Sequence, residues 1–290
     1  MKIVTIGGSG LFGSMLVPVL QLAGNNVFTV GRSETNNFKC DVGDLKLLRS
    51  LLDELQPDII INLVALTDVD LCESDPKLAF SVNVRTTENV VSWIESTVND
   101  CHLVHISTDQ VYDGAGPHLE SDVMLSNYYA FSKYASELVA LRVASTVLRT
   151  NFFGKSSCNH RESFTDWIYD NVVNNRKILF FNDVFFSPLS MATLAEMISF
   201  VISARPIGIF NLGSRAGLSK SVFSLLFIEK LNIMSENIEV TSIEGVTFMK
   251  TYRPKDMRMD ITKFERRLCI NLPTLEDEIN RVVGDYHESV

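Results

Sequence analysis

Three residues carry side chains that can move a proton or orient a carbonyl, and their spacing allows a fold to bring them together. Tyr129 and Lys133 are four residues apart in a helical stretch, which places the phenol and the ammonium on the same helix face. A lysine beside a phenol lowers the phenol pKa by stabilising the phenolate, so the pair can donate and accept a proton near neutral pH. Thr108 follows an apolar run and can donate a hydrogen bond to a substrate carbonyl. We predict that Thr108, Tyr129 and Lys133 form a catalytic set.

A glycine turn near the N-terminus supports this prediction, because a Tyr and Lys pair alone also occurs on exposed helices. The turn lies between a β-branched run, residues 2–6, and a helical pattern over residues 11–22. The pyrophosphate of a dinucleotide has to approach bare backbone amides at the N-terminus of a helix, and a Cβ on the glycines would obstruct the turn or the approach. The residues expected to hold such a dinucleotide here are Gly7, Ser9, Gly10, Leu11, Phe12 and Gly13.

The residues after the second predicted strand indicate NADP(H) as the dinucleotide. An acidic residue at this place would accept hydrogen bonds from the ribose 2′-hydroxyl of NAD, but the chain has Arg32 and Ser33 there. A guanidinium and a hydroxyl suit a 2′-phosphate, so we predict NADP(H), with NAD(H) retained as the alternative. Asp41 and Val42 are expected at the adenine, where Asp41 would accept a hydrogen bond from the amino group.

Strands and helices alternate along the first half of the chain and place these motifs at strand ends. Apolar runs predict strands at residues 2–6, 27–30, 59–65, 103–107 and 146–149. Apolar residues at helical spacing predict helices over residues 11–22, 44–55, 79–94 and 129–143. Alternation of this kind indicates an α/β fold with parallel strands and right-handed crossovers.

The predicted architecture is a Rossmann-type, doubly wound parallel sheet with a smaller, interleaved C-terminal lobe. Residues 1–150 are predicted to form the NAD(P)-binding domain, completed by parts of residues 177–215. Residues 151–290 are predicted to form mainly a substrate-binding lobe. Its predicted helices cover residues 163–174, 191–204 and 219–231, and its predicted strands cover residues 177–181 and 208–212.

Composition and charge exclude several other classes of protein. The 290 residues are 46% hydrophobic and carry 26 Lys and Arg against 35 Asp and Glu, for a net charge of −9. A chain this acidic has no general attraction for nucleic acid or for an anionic membrane, so we predict neither as a partner. No apolar stretch approaches the roughly 20 residues of a membrane span, and the first residues lack a signal-peptide pattern. We therefore expect a cytoplasmic location.

The cysteines and the acidic residues bear on disulfides and metals. Five cysteines are scattered along the chain without a C-x-x-C pair, which indicates free thiols in a reducing compartment. No cluster of His, Cys and carboxylate residues has metal-ligand spacing, so we predict no metal ligands in the site, and a requirement for Mg²⁺ is left open. The oligomeric state is left open, with a homodimer as one option.

Several longer segments resemble one protein family. They are residues 62–73 (NLVALTDVDLCE), 79–84 (AFSVNV), 107–114 (STDQVYDG), 149–154 (RTNFFG) and the pair Arg253-Pro254. Together with Tyr129 and Lys133, these segments resemble the dTDP-4-dehydrorhamnose reductases, which are extended short-chain dehydrogenases/reductases. The resemblance is specific in the first half of the chain and scattered in the second. It implies an NADP(H)-dependent reductase of polysaccharide biosynthesis that transfers a hydride to the C4 ketone of a nucleotide-linked 4-keto-6-deoxysugar.

The resemblance also implies roles for individual residues. Thr108 would orient the carbonyl, Tyr129 would deliver the proton, and Lys133 would also bind the nicotinamide ribose. The further cofactor contacts that it implies are Ala65, Thr67 and Asn83, and the implied substrate contacts are Thr67, Val69, Thr108, Asp109 and Phe152. Phe152 stands where rhamnose-forming members commonly carry tryptophan, so the exact sugar is left open.

Three alternatives are weighed against this interpretation. Nucleotide-sugar dehydratases carry a carboxylic acid two residues after the catalytic threonine, where this chain has Gln110, which cannot transfer a proton. Epimerases of the UDP-galactose type match this segment less well. A non-catalytic NADP-binding subunit, such as the regulatory β subunit of methionine adenosyltransferase, resembles the same reductases but would need no intact Tyr and Lys pair. His160, Arg161 and Glu162 could meet a sugar diphosphate, although a solvated loop is the favoured interpretation.

Overall fold

Strands and helices alternate through residue 150 of the computed structural model, which describes residues 1–158 and 161–287. The strands of this half are β1 (Lys2–Ile6), β2 (Asn26–Gly31), β3 (Phe38–Lys39), β4 (Ile59–Asn62), β5 (His102–Thr108) and β6 (Ser145–Thr150). The helices are α1 (Gly13–Leu22), α2 (Leu45–Leu55), α3 (Val69–Ser74), α4 (Pro76–Ala79), α5 (Thr86–Ser96) and α6 (Tyr128–Ala140). A π-helical turn, Phe80–Arg85, joins α4 to α5, and a 3₁₀ turn, Asp109–Val111, follows β5.

The second half has shorter strands between its helices. The strands are β7 (Phe152–Phe153), β8 (Ile178–Phe181), β9 (Phe185–Phe186), β10 (Leu189–Ser190), β11 (Gly208–Leu212), β12 (Leu218–Ser219) and β13 (Ile238–Thr241). The helices are α7 (Phe164–Val173), α8 (Met191–Ala204), α9 (Lys220–Lys230), α10 (Thr262–Leu268) and α11 (Leu275–His287). Within the described residues, none of the helices combines the length and the apolar character that crossing a membrane requires.

Seven of these strands form one sheet in which every pairing is parallel. Their order is β3, β2, β1, β4, β5, β6 and β11. The chain starts at β1 inside the sheet and winds outward in both directions, so the order reverses between β1 and β4. The predicted Rossmann-type, doubly wound fold is therefore confirmed. In such sheets ligands bind beyond the carboxyl ends of the strands at this reversal, where the glycine turn lies.

Helices cover both faces of this sheet. On one face, Leu16 of α1 and Leu194 of α8 pack with strand side chains such as Ile3. On the other face, α2, α5 and α6 pack against the alternate strand residues, with Trp93 of α5 and Val4 of β1 in the same cluster. Because both faces are covered, the central strands β4, β5 and β6 are buried along almost their whole length rather than at alternate residues.

A second hydrophobic core belongs to the smaller lobe. α7, α9 and α11 surround a cluster of aromatic and aliphatic side chains that includes Phe180, Phe223 and Phe227. The predicted strand over residues 177–181 is β8, which pairs with β13 in this lobe, whereas β11 joins the edge of the large sheet beside β6. α8, which precedes β11, packs on α1. The division of the chain at residue 150 stays a proposal.

The structure corrects several predicted elements. The predicted helix over residues 11–22 begins at Gly13, the predicted strand over 59–65 ends at Asn62, and the predicted helix over 129–143 ends at Ala140. The predicted helix over 79–94 contains the π-helical turn. β4 ends early because side-chain oxygens, rather than a neighbouring strand, accept hydrogen bonds from backbone N–H groups that follow it. The N–H of Val64 donates to Asn62 Oδ1 at 3.2 Å, and the N–H of Leu66 donates to Asn83 Oδ1 at 2.7 Å.

Candidate active site

Thr108, Tyr129 and Lys133 lie together at the carboxyl edge of the central sheet. Thr108 is the last residue of β5, and the other two lie on α6, where Tyr129 is 5% exposed and Lys133 is 2% exposed. Lys133 Nζ donates to the carbonyl oxygen of Ile106 on β5 at 2.7 Å. The side chains of Thr108 and Tyr129 are close enough to share a hydrogen bond. The structure thus brings the predicted catalytic set into one place.

Burial controls the pKa values in this trio. Removal from water raises the pKa of Tyr129 well above its ordinary value, and the hydrogen bond with Thr108 offsets part of that rise. Burial also lowers the pKa of Lys133 to about 8, against the opposing effect of the Glu137 charge. The sequence predicts a lowered phenol pKa, and the structure shows the opposite. The reason is that desolvation dominates while the Lys133 ammonium is directed to a backbone carbonyl.

Asp109 adds a buried carboxyl group beside the trio. It is 1% exposed, accepts a hydrogen bond from Asn151 Nδ2 at 2.8 Å, and accepts a longer one from Thr108 Oγ1 at 3.3 Å. Burial raises the pKa of Asp109 to about 6, although the bond from Asn151 and the positive charge of Lys220 act to lower it. Asp109 therefore changes its charge close to neutral pH.

Side-chain hydrogen bonds hold α6 in place around the tyrosine. Asn127 caps the helix by accepting from a backbone N–H of its first turn at 2.9 Å. Asn83, in the π-helical turn, donates to Ser132 Oγ on α6 at 2.8 Å and bonds both backbone groups of Leu66. Asn83 thus connects α6 with the loop after β4. These bonds give it a supporting position, and its direct contact with a cofactor stays a prediction.

The glycine turn lies between β1 and α1, as the sequence predicts. Gly7 has a φ of +83°, in the left-handed region that favours glycine. A Cβ on Gly13 would lie 2.5 Å from the carbonyl oxygen of Gly8, and a Cβ on Gly10 would lie 3.2 Å from that of Gly7. The start of α1 therefore packs directly on the loop. Within the described residues no side chain caps α1, and the N–H of Gly13 makes no hydrogen bond, so it is available to an anion, whereas the next two amides donate to carbonyls just before the helix.

The loop after β2 places an exposed cation, Arg32, near this turn. Arg32 is exposed, and its guanidinium makes no hydrogen bond or ion pair with any residue that the structure describes. Ser33 is exposed beside it and shares a hydrogen bond of 2.8 Å with Thr35. Asn36, which sequence reasoning missed, donates to Ser9 Oγ at 3.1 Å and to the Ser33 carbonyl at 3.0 Å. The only sequence feature that could have identified Asn36 is its place in a polar run after a predicted strand.

Asp41 and Val42 follow β3, farther from the trio. Asp41 is exposed, and its Oδ1 accepts from the N–H of Gly43 at 3.0 Å. Val42 is buried, and its carbonyl accepts from Asn89 Nδ2 at 2.9 Å. One carboxylate oxygen of Asp41 is thus used within its own turn, and contact of this pair with an adenine stays a prediction.

The predicted contacts to the nicotinamide and the sugar come from the loop after β4, the start of α3 and β7. Ala65 and Thr67 belong to the loop after β4, where Thr67 is exposed. Val69 begins α3 and packs in a small cluster with the tyrosine of the trio. Phe152, in β7, lies with its ring centroid 5.1 Å from that of Phe12. Phe152 therefore packs against the core of the large sheet beside the glycine turn.

Sequence reasoning missed the polar groups that lie behind the trio. Arg149 and Asn151 enter it only as members of the segment 149–154, and Glu137 does not enter it at all. The position of Glu137, one helical turn after Lys133, is a signal that could have identified it. Among the weaker candidates, Arg161 and Glu162 are exposed, as a solvated loop predicts, and His160 lies outside the described residues.

Three kinds of comparison relate this chain to known proteins. The family model described as RmlD substrate binding domain matches residues 1–288. A dTDP-4-dehydrorhamnose reductase of Sinorhizobium fredii is 30% identical over 89% of this chain and 88% of its own length. The probable low-salt glycan biosynthesis reductase Agl14 of Haloferax volcanii is 27% identical over 94% of each chain. The crystal structure of dTDP-4-dehydrorhamnose reductase from Bacillus anthracis, in complex with NADP, has a TM-score of 0.88 at 23% identity, covering 98% of this chain and 100% of that chain.

Proposed function

The chain belongs to the RmlD substrate binding domain family of extended short-chain dehydrogenases/reductases, and from this premise we propose that it is an NADP(H)-dependent reductase of a nucleotide-linked 4-keto-6-deoxysugar. The observation that carries the proposal is the position of Thr108, Tyr129 and Lys133 at the carboxyl edge of the sheet, where the uncapped start of α1 also lies. Relatives named as dTDP-4-dehydrorhamnose reductases and as a glycan biosynthesis reductase support this class of reaction.

The residues around the glycine turn fit a dinucleotide that carries a 2′-phosphate. The left-handed φ of Gly7 and the 2.5 Å approach of a Gly13 Cβ to a carbonyl oxygen both disfavour a side chain, and the Gly13 N–H at the start of α1 would contact the pyrophosphate. The Arg32 guanidinium, which has no partner in the described part of the chain, and the exposed Ser33 hydroxyl would hold the 2′-phosphate. Lys133 would hold the nicotinamide ribose. The NADP in the Bacillus anthracis relative supports NADP(H), and NAD(H) is retained as the alternative.

The trio supplies the proton and the orientation that a ketone reduction needs. When bound, a reduced nicotinamide supplies the hydride. Tyr129 is neutral at pH 7, since the ordinary pKa of a phenol already lies well above 7 and burial raises it further, so it holds the proton that the C4 oxygen requires. Thr108, close to the phenol, would hold the carbonyl oxygen in place. Lys133 is still mostly charged at pH 7, because its pKa is about 8, and it would stabilise the negative charge left on Tyr129.

The expected partner is a nucleotide-sugar substrate, and the net charge of −9 argues against nucleic acid and anionic membranes. The cytoplasmic location and the homodimer stay predictions. Cell fractionation tests the first, and light scattering of the purified protein tests the second.

A panel of nucleotide-linked 4-keto-6-deoxysugars tests the proposed reaction. Its members differ in nucleotide and in sugar configuration, and NADPH oxidation is followed by the absorbance of the reduced nicotinamide. We expect at least one member to be reduced at C4, with one NADPH consumed per hydroxyl formed, as NMR of the product would establish. Substitution of Tyr129 by Phe serves as the control for contaminating reductases.

Two outcomes of this panel would contradict the proposal. Tight binding of NADPH without reduction of any sugar would favour the non-catalytic subunit, particularly if the protein copurifies with a larger catalytic partner. Inversion of the configuration at one sugar carbon, without net oxidation of NADPH, would favour an epimerase.

A further inference from the structure

Glu137 and Arg149 form an ion pair in the interior of the protein, one helical turn beyond Lys133. Arg149 Nη2 lies 2.6 Å from Glu137 Oε2, and the two side chains are 1% and 0% exposed for Arg149 and Glu137 respectively. Arg149 Nε contacts both carboxylate oxygens, at 3.0 and 3.1 Å. Two buried charges are costly to remove from water, and well-packed apolar side chains of similar size often stabilise a protein as well or better. Stability alone therefore does not account for this pair.

The pair joins α6 to the two strands that end at the candidate site. Glu137, on α6, accepts a hydrogen bond from the hydroxyl of Ser107, the neighbour of Thr108 on β5. Arg149, on β6, lies directly beside Ser107 in the register of the sheet. The guanidinium also donates to Tyr112 Oη at 2.7 Å. The Glu137 carboxylate thus holds α6, which carries Tyr129 and Lys133, in a fixed position against the end of β5, which carries Thr108.

Glu137 is also the charged group that acts on Lys133. The Lys133 ammonium is buried, its hydrogen bond goes to a neutral carbonyl, and burial lowers its pKa to about 8. The negative charge of Glu137 opposes this effect and raises the pKa. Without that charge, we expect the pKa of Lys133 to fall further toward neutral pH.

The other titratable groups around Lys133 do not replace Glu137. Burial holds the pKa of His105 on β5 well below its ordinary value, and burial raises the pKa of the Cys72 thiol on α3 to about 11, so both are neutral at pH 7. Arg149 on β6 is a cation, so it cannot supply a negative charge near Lys133. Asp109, with a pKa of about 6, is mostly ionised at pH 7, but its carboxylate is bonded to Asn151 and not to the lysine.

We propose that Glu137 is a positioning residue for the reduction proposed above, on which this inference rests. Held by Arg149 and Ser107, its carboxylate fixes α6 against β5 and keeps the Lys133 ammonium charged beside Tyr129. Glu137 acts through Lys133 and through the placement of the trio, and it contacts neither substrate nor cofactor.

Two variants separate this role from a purely structural one. Glu137→Gln removes the charge and keeps the shape, but it leaves Arg149 buried and unpaired, which can prevent folding. The double variant Glu137→Leu with Arg149→Met replaces both charges by apolar side chains of similar size, and we expect it to fold. Glu95→Gln is the matched control. Glu95 accepts hydrogen bonds from Arg142 Nη2 at 2.8 Å on the protein surface. The Glu95→Gln variant therefore also loses a glutamate–arginine ion pair, but one that lies away from Lys133.

The first measurement needs no substrate. In protein labelled with ¹³C at the lysine ε carbon, we expect one signal that titrates near pH 8 and disappears in Lys133→Met. In Glu137→Gln and in the double variant this signal is expected to titrate at lower pH, and in Glu95→Gln it is expected to stay in place.

The second measurement is the pH profile of kcat with the sugar that the panel identifies. The loss of activity at alkaline pH should move to lower pH in both Glu137 variants, and kcat above pH 8 should fall about tenfold for each unit of the shift. Activity should recover toward the wild-type value at lower pH, which a distorted site would not do.

An unchanged lysine titration in the folded double variant would overturn the inference, as would an equal shift in Glu95→Gln. If the wild type reduces no sugar in the panel, the proposed function fails. The lysine titration then still decides whether Glu137 controls the charge of Lys133.

Discussion

Burial drives the three titratable residues of the site toward their neutral forms, but by different amounts. It raises the pKa of Tyr129 far above pH 7, raises that of Asp109 to about 6 and lowers that of Lys133 to about 8. Between those last two values the phenol is protonated, the lysine is charged and the carboxyl is ionised. A protonated phenol beside a charged lysine is the state that a reduction needs, and it is lost above the pKa of Lys133, so we expect the reduction rate to fall as the pH rises through about 8.

Substitution of Tyr129 by Phe removes the proposed proton donor and little else. General acid catalysis contributes about 10²–10⁴-fold, so kcat should fall by that factor while NADPH still binds. Steady-state kinetics and a fluorescence titration with NADPH measure the two effects. Tyr128→Phe is the matched control, because Tyr128 is the neighbouring residue and has no lysine four positions later. Undiminished turnover in the Tyr129 variant would refute its catalytic assignment.

Replacement of Arg32 by Asp tests the choice of cofactor. The guanidinium has no partner among the described residues, so the substitution breaks no contact within the protein. It places an anion where a 2′-phosphate is expected, and a hydrogen bond to a charged group contributes about 1.5–3 kcal/mol. We therefore expect NADPH to bind at least about tenfold more weakly, with little change for NADH. Calorimetry with both cofactors makes the comparison, and equal weakening of the two would show that Arg32 does not contact the phosphate.

Asp109 should make the stability of the protein depend on pH in a specific direction. Its pKa rises from 3.8 to about 6 on folding, so the folded protein keeps a proton that the unfolded chain releases. The stabilisation from this protonated carboxyl is fully present below pH 3.8, the pKa in the unfolded chain. It is lost as the pH rises through about 6, the pKa in the folded protein. The difference between the two values corresponds to about 3 kcal/mol.

Asp109→Asn removes this dependence, because the amide does not titrate. Between pH 4 and pH 7, we expect the free energy of unfolding of the wild type to fall relative to that of the variant by up to about 3 kcal/mol. Urea unfolding at a series of pH values measures the difference. His102, whose pKa burial lowers to about 4, has the opposite effect in the same interval, but it does so in both proteins and cancels. A difference that does not change with pH would contradict the assignment.

At the scale of secondary structure, the site depends on where each element ends. β4 ends at Asn62, so the following loop is held by Asn83 rather than by a neighbouring strand. α6 begins at Tyr128, capped by Asn127, which places its first turn at the carboxyl edge of the sheet. α1 begins at Gly13 rather than at residue 11, which leaves room for the turn that precedes it.

Gly13→Ala tests the contact between the glycine turn and α1. The new Cβ would lie 2.5 Å from the carbonyl oxygen of Gly8 and 2.7 Å from that of Gly7, so the backbone has to shift. Overpacking of this kind costs about 1–3 kcal/mol, and we expect lower stability together with weaker binding of NADPH. Gly284→Ala, on α11, is the matched control, because a Cβ there meets no atom within 4 Å. Thermal unfolding and NADPH titration of both variants decide the point. Unchanged affinity in Gly13→Ala would show that the turn can relax.

Some of these elements could be predicted from the sequence because their signal is local. The bounds of β1, α8 and β11 agree with the predicted runs, since each run has a clear period and ends at a residue that breaks it. The bonds of Asn83 to Ser132 and of Glu137 to Arg149 join residues far apart in the chain, and one sequence carries no pattern for them. The predicted direction of the Tyr129 pKa shift is wrong for a related reason. The shift depends on burial and on the partner of the Lys133 ammonium, and neither can be seen in the sequence.

At the scale of the whole molecule, the two lobes share their chain. After β6 the chain leaves the large sheet, builds part of the smaller lobe, and returns through α8 and β11 to complete the sheet beside β6. The core on one face of the sheet contains side chains of α8 together with those of α1. The sheet is therefore incomplete in any fragment that stops at residue 150.

A fragment of residues 1–150 is expected to aggregate rather than to fold. It lacks β11, which leaves β6 as an unpaired edge, and it lacks α8, which uncovers the apolar face of α1. A longer fragment, residues 1–215, contains both elements and should be more soluble and more structured. Size-exclusion chromatography and circular dichroism compare the two. A monomeric 1–150 fragment with cooperative unfolding would show that the first part of the chain is independent.

The return of the chain to β6 also has a consequence for synthesis on the ribosome. Residues 151–207 have to be translated between the last residue of β6 and the first residue of β11. At about 5–20 residues per second, the nascent β6 edge waits roughly 3–12 seconds for its partner strand. During this interval it offers unpaired N–H and C=O groups to other nascent chains on the same messenger RNA. Because β11 follows β6 only after these residues, a chaperone that covers the β6 edge during this interval would prevent pairing between nascent chains.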